Sequence, residues 1–289
     1  MAVGIPNWVL ILLLGLNHVE EDIMSMKSML ASVREACVEA GAEILRIYAD
    51  TSKFEVEHKA DNSPLTAADR AANDLLRARL QELSPATPIL SEESEQADWS
   101  ERRHWDECWV VDPLDGTKEF LKRNDEFTIN VALVRRNEPI LGVVYAPALQ
   151  LWYTAARGVG AWFQHGKSAP VHLKVAPADP SAPLRVVVSR SHPSEELSAY
   201  LSRLGEVETV PMGSSLKLCK VADGSADLYP RLGPTCEWDT AAGHAVVAEA
   251  GGQVLDASTG QPLRYNARES LLNPSFMVCA ELNKDWLQP

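Results

Sequence analysis

Between Met29 and Tyr48, apolar residues fall at Leu30, Val33, Cys37, Ile44, Leu45 and Tyr48, a helical spacing that predicts a first helix packed along one face. Thr66, followed three residues on by Asp69, has the form of a capping box; Leu75, Leu76, Leu80 and Leu83 continue a second helix that Ser84-Pro85 ends. The period then changes. Short β-branched or aromatic runs at Ile89-Leu90, Trp109 to Val111, Thr128 to Val134, Ile140 to Tyr145 and Leu151 to Thr154, each bounded by turn residues, predict strands. Gly158-Val159-Gly160 lacks the third glycine of a dinucleotide fingerprint and reads as a hairpin turn. The Pro-rich stretch from Val175 to Pro183 reads as a linker. Beyond it, strands near 184–189, 207–210, 227–229, 253–255 and 275–279 alternate with helices near 194–204, 214–222 and 238–250, which predicts an α/β unit. The expected organisation is an extension at 1–26 outside the fold, an α+β part at 27–178 and an α/β part at 184–289.

The 289 residues are enough for about two domains and a sizeable core at roughly 150 residues per domain. With 46% hydrophobic residues, the composition excludes fibrous and disordered chains. Forty Asp and Glu against 27 Lys and Arg leave a net charge of −13, which argues against a nucleic-acid polymer or an anionic lipid surface as partner. Five cysteines at irregular spacing, with no C-x-x-C pair, point to a reducing compartment and against a disulfide framework or a structural zinc site. The apolar run Trp8 to Leu16 is too short for a bilayer, which takes about 20 residues. It also lacks the basic flank and cleavage site of an export signal. The expected location is cytoplasmic, with this run leaving room for peripheral contact at the inner membrane.

The sharpest chemical signal is the string from Trp109 to Phe120, WVVDPLDGTKEF. A hydrophobic strand ends in Asp112, and three residues on Asp115-Gly116-Thr117 has the look of a helix start. Two carboxylates at a strand end suit a divalent cation, and the N–H groups of Gly116 and Thr117 suit a phosphate oxygen. An Asx-turn with a helix cap is the purely structural alternative. An EF-hand is excluded, because its twelfth position counted from Asp112 is Arg123 rather than Glu. Two further acidic strings, Glu92-Glu93 after the short run Ile89-Leu90-Ser91 and Glu237-Trp238-Asp239-Thr240 at a loop entering a helix, would each alone read as a solvated loop end. His58, His104, His165, His172 and His244 show no metal-ligand spacing.

Taken in order, Glu92-Glu93, then the D-P-x-D-G-T string at 112–117, then Trp238-Asp239 followed after eleven residues by Gly251-Gly252 resemble the inositol monophosphatase superfamily of Mg2+-dependent, lithium-sensitive phosphomonoesterases. Within it, Lys59 to Asp69 (KADNSPLTAAD), Asp115 to Phe120, Gly213 to Lys217 and Leu228 to Arg231 look like the bacterial CysQ branch, the 3'(2'),5'-bisphosphate nucleotidases. The likeness runs from about Met29 to Leu272 and beyond. It implies an α/β chain with an α+β N-terminal part, folded as the αβαβα layered sugar-phosphatase architecture. It also implies hydrolysis of adenosine 3',5'-bisphosphate to AMP and phosphate, a step of sulfate assimilation and nucleotide recycling.

Carried over residue by residue, the resemblance implies metal ligation by Glu92, Asp112, the Leu114 carbonyl, Asp115 and Asp239, holding two or three Mg2+ in a two-metal arrangement with ions about 4 Å apart. Oxygen-only ligation suits a hard cation and makes zinc a poor candidate. Glu93 is expected to support the site rather than bind metal. Catalysis is assigned to Glu92, Thr117 and Asp69: a water activated at the first ion gives its proton to the Thr117 hydroxyl, which Asp69 holds. No covalent phospho-enzyme is expected. Substrate binding is assigned to Gly116, Thr117 and Asp239 at the reacting end, and to Ser214, Ser215, Lys217 and Arg231 for the second phosphate. Arg190 and His192 are candidates for further cationic or ribose contacts. The alternatives are an inositol or fructose-type sugar phosphatase and, from a different class, a non-enzymatic nucleotide or metal sensor. The water-activating pair argues against the sensor.

Overall fold

A computed structural model describes residues 7–50, 57–58, 64–65, 67–191 and 194–287. Thr66 of the expected capping box, residues 59–63 of the KADNSPLTAAD string and His192 lie outside the described residues. In chain order the first part comprises helix α1 (Asn7–Ala49), a two-strand pair β1 (Glu57–His58) and β2 (Pro64–Leu65), α2 (Ala67–Leu83), β3 (Ile89–Ser91), α3 (Trp99–Arg102), β4 (Glu107–Asp115) and α4 (Thr117–Lys122). It continues through β5 (Thr128–Arg135), β6 (Glu138–Ala146), β7 (Leu151–Ala156), β8 (Gly160–His165) and β9 (Val171–His172). The second part holds β10 (Leu184–Ser189), α5 (Glu195–Arg203), β11 (Val207–Met212), α6 (Leu216–Ala222), β12 (Leu228–Arg231), α7 (Ala241–Glu249), β13 (Gln253–Asp256) and β14 (Phe276–Cys279).

Strands β3 to β9 form one seven-stranded sheet in sequence order, with β3 and β4 parallel and the rest antiparallel. The second sheet has five strands in the order β11-β10-β12-β14-β13 and is mixed. The alternation of side chains along a strand builds the layers. In β4, Trp109 and Val111 join Leu76, Leu80 and Ile44 of α2 and α1, while Cys108 and Val110 join Leu218 and Val246 of α6 and α7. In the second sheet, Val187, Tyr229 and Val278 face that same inner helical layer, and Val186, Leu228 and Met277 face Tyr200 of α5. The order is therefore α1/α2, sheet, α6/α7, sheet, α5, the αβαβα layering expected from the motifs.

The central layer lies close against the first sheet. A Cβ on Gly142 of β6 would stand 2.3 Å from the Ala242 carbonyl oxygen of α7, so only glycine permits this approach. Helix α1 is longer than the periodicity predicts, and the boundary expected at residue 26 falls inside it; Met26 is buried in the α1/α2 core. The predicted helix at 238–250 is instead a single 3-10 turn, Glu237–Asp239, followed by α7. The chain crosses from one sheet to the other between Val171–His172 and Leu184–Ser189, where the linker was expected. Among the described residues no helix is long and apolar enough to cross a membrane.

Candidate active site

Residues three apart on a regular strand point to opposite faces, so Asp112 and Asp115 of β4 should diverge. They do not, because the register against β5 shifts between them: Asp112 pairs with Asn130 and Asp115 with Thr128, leaving one extra residue in β4. This bulge, at Pro113, which has no N–H for the ladder, turns both carboxylates into one cleft while Leu114 stays in the α1/α2 core. The Asp112 Oδ1 accepts the Leu114 N–H at 3.0 Å, which fixes the bend. From the end of β3 comes Glu92, whose N–H is bonded to the Val111 carbonyl, and from the 3-10 turn of the second part comes Asp239. One carboxylate oxygen each of Glu92, Asp112 and Asp239 lie within 4.8 Å of one another.

Such a group of acids is electrostatically unfavourable unless a cation joins it. Asp112 is 1% exposed, and its carboxyl pKa is pushed well up, first by burial and then by Glu92, Asp115, Asp239 and Asp69. Asp239 is pushed up to about 8, again by burial first and then by Asp115 and Glu92. The Asp112 Oδ2 is buried with no hydrogen-bond partner, an acceptor in want of a positive ligand. An all-oxygen donor set with such an atom fits a hard divalent cation. Beside it, the Thr117 hydroxyl at the start of α4 stands 3.4 Å from Asp69 Oδ2 and 3.5 Å from the Leu114 carbonyl. Asp69, in the first turn of α2, is 1% exposed rather than solvent-facing as a simple cap would be.

The profile of the inositol monophosphatase family matches residues 25–287. The chain belongs to that family. Among curated relatives it is 52% identical to the 3'(2'),5'-bisphosphate nucleotidase CysQ of Escherichia coli K12, over 86% of this chain and 99% of that protein. It is 43% identical to CysQ of Buchnera aphidicola, over 88% and 94%. Among solved structures, CysQ from Bacteroides thetaiotaomicron superposes with a TM-score of 0.79 at 42% identity, covering 90% of this chain and all of that one. The extragenic suppressor protein suhB from Bartonella henselae superposes with a TM-score of 0.73 at 27% identity, covering 88% and 94%.

In this inositol monophosphatase family member the cleft is about 390 Å³, and its lining includes Glu92, Asp112, Asp115 and Asp239 together with Lys217, Tyr229 and Arg231. Lys217 is partly buried; desolvation lowers its pKa, against the pull of Asp115, and its ammonium donates to the Ser214 carbonyl at 2.5 Å. The Nε of Arg231 is buried without a partner, while its Nη2 donates to the Pro234 carbonyl. Ser214 and Ser215, expected to bind substrate, both make hydrogen bonds within the protein, and Ser214 also lines the cleft. Ser214 Oγ lies 2.8 Å from the Asp115 carbonyl and 2.7 Å from that of Glu126. Ser215 Oγ lies 2.8 Å from Asp115 Oδ2 and 2.7 Å from the Asp239 carbonyl, and accepts from Asn130. The Ser215 hydroxyl thereby links the segments that carry Asp115 and Asp239.

Gly116 explains why the segment must be glycine: its φ is +92° and an added Cβ would meet Ser214 Oγ at 2.2 Å. Arg190 is engaged in a two-pronged ion pair with Glu126, which also accepts the Gly213 N–H at 2.7 Å. Sequence reasoning overlooked Asn130 and Glu126, and it named Glu237 in the string 237–240 without giving it a role of its own. Glu237 is 0% exposed, with its carboxyl pKa pushed by burial to about 7. The hydrogen-bonding role of each is set by a partner distant in the chain, which local spacing does not show.

Proposed function

We propose that this protein is a Mg2+-dependent phosphomonoesterase that hydrolyses adenosine 3',5'-bisphosphate to AMP and phosphate. The observation that carries the reading is the 52% identity to a 3'(2'),5'-bisphosphate nucleotidase over nearly that protein's whole length. The cleft supports it: its lining combines clustered carboxylates with two partly buried cationic side chains, Lys217 and Arg231, as a substrate with two phosphates requires. Glu92, Asp112, the Leu114 carbonyl, Asp115 and Asp239 would hold two or three Mg2+. When bound, Mg2+ supplies positive charge to the reacting phosphate and lowers the pKa of water.

The chain's own groups do the rest. The Thr117 hydroxyl accepts a proton from the attacking water as its own passes to Asp69, 3.4 Å away. The N–H groups of Gly116 and Thr117 bind oxygens of the phosphate under attack, and attack is in line with the departing ribose oxygen, which takes up a proton from solvent water as it leaves. Lys217 and Arg231 take the second phosphate, whose charge offsets their burial. Ser214 and Ser215 serve the substrate through the backbone and carboxylate they hold. A cytoplasmic, reducing setting belongs to the same proposal, supported by the spacing of the five cysteines.

The test is phosphate release by purified protein in Mg2+ from adenosine 3',5'-bisphosphate, inositol 1-phosphate and fructose 1,6-bisphosphate. The nucleotide is expected to turn over fastest. A higher rate on either sugar phosphate replaces the nucleotidase reading with a sugar phosphatase, and no release from any substrate points to a sensor.

A further inference from the structure

Among the described residues, Asp239 is the one carboxylate of the acidic cluster that comes from the second part of the chain. Its distance from Asp112 therefore depends on what fastens the 3-10 turn to the first part. A buried chain of hydrogen bonds does so. Arg102, in the four-residue helix α3, is 3% exposed, with its guanidinium 4.8 Å from the centre of the Trp99 ring. Its Nη1 donates at 2.9 Å to Asn266 Oδ1 and at 2.9 Å to the Arg268 carbonyl, and its Nη2 donates to the Glu269 carbonyl. Asn266 Nδ2 returns a bond to the Arg102 carbonyl at 2.7 Å. The Asn266 N–H then donates to Glu237 Oε2 at 2.6 Å, and Glu237 is the first residue of the turn that ends in Asp239. The Glu237 N–H is tied to the Leu271 carbonyl of the same loop.

We propose that Arg102 is a positioning residue for the metal site, setting Asp239 against Asp112 through Asn266 and Glu237. The proposal rests on the reading that Asp239 holds the ion. Arg102 touches neither substrate nor acidic cluster; it organises the 266–269 loop, 164 to 167 residues away in sequence, and that loop holds the turn. A fork of donors meeting three acceptors is specific to a guanidinium, which one ammonium would not reproduce. A loosened turn costs affinity for the ion more than it costs the fold, because every other ligand sits on β4 or at the end of β3.

The test measures two Mg2+ midpoints in the full-length protein: for the rise in Tm with Mg2+ alone, and for phosphate release from adenosine 3',5'-bisphosphate. Arg102→Met is expected to raise both at least fivefold, with kcat at saturating Mg2+ within threefold of wild type. Asn266→Gly should behave likewise, because glycine accommodates the φ of +45° at this position but cannot link Arg102 to the loop. Leu80→Ala, in the α1/α2 core, should lower Tm and leave both midpoints unmoved. If Arg102→Met does not fold, Arg102→Lys and Asn266→Gly decide the matter. Folded variants with wild-type midpoints overturn the inference. A wild-type Tm unresponsive to Mg2+ overturns both the metal site and this inference. A Tm that responds without nucleotide hydrolysis overturns the nucleotidase reading alone, and the thermal midpoints still decide the role of Arg102.

Discussion

Replacing Asp112 by Asn should make the metal-free protein more stable and abolish its response to Mg2+. The side chain is 1% exposed and shares a space within 4.8 Å with carboxylate oxygens of Glu92 and Asp239. At an effective dielectric near 20, two such charges repel by about 3 kcal/mol. A proton held on the cluster already relieves part of this, so the net gain from Asn is about 1–3 kcal/mol, or roughly 2–5 °C in Tm for a chain of this size. Asn keeps the acceptor for the Leu114 N–H and puts a donor where Oδ2 now has no partner. In Mg2+ at 100 times its Kd, wild type should gain about 2.7 kcal/mol and the variant almost none. The sign with pH follows from Asp239, whose folded pKa of about 8 exceeds the ordinary 3.8. Between those values the folded state keeps a proton the unfolded state has released, so metal-free stability declines as pH rises and the contribution is gone once pH passes 8. Thermal unfolding in EDTA and in Mg2+, at pH 6, 7.5 and 9, reads all of this. A variant less stable than wild type in EDTA, or one that gains as much from Mg2+, would refute the electrostatic account.

Other substitutions separate the remaining roles. Thr117→Val should lower kcat about a hundredfold, the size of a lost proton-transfer partner, without shifting the Mg2+ midpoint of Tm; a shifted midpoint would make Thr117 part of the metal site instead. Lys217→Met should raise KM for adenosine 3',5'-bisphosphate at least tenfold while leaving a substrate with one phosphate nearly unaffected, and equal losses on both would remove its assignment to the second phosphate. Gly142→Ala forces a Cβ to within 2.3 Å of the Ala242 carbonyl and should cost about 1–3 kcal/mol in urea unfolding; a neutral result would contradict the close contact of β6 with α7.

What the sequence disclosed and withheld follows from how local each feature is. Strand β4 and its two aspartates are visible because a hydrophobic run, a proline and a glycine lie within a dozen residues. The bulge that turns both aspartates the same way is invisible, since it exists only in the register against β5. Asp69 reads from sequence as either a cap or a functional carboxylate, and only its burial beside Thr117 separates the two. Ser214 and Ser215 are conspicuous beside Gly213 and Lys217, yet the motif does not show that both hydroxyls bond to Asp115. Arg102, in the string Trp99-Ser-Glu-Arg, belongs to no motif; a loop more than 160 residues away buries it. The individual strands and α2 are written locally, in alternation and helical spacing, whereas the αβαβα layering was expected only from the family resemblance.

The most direct measurement is anomalous diffraction from crystals grown with Mn2+ in place of Mg2+. The account predicts peaks within bonding distance of the Asp112 carboxylate, one of them shared with Glu92 and another with Asp239. Well-ordered crystals with Mn2+ bound elsewhere and none between these carboxylates would contradict it.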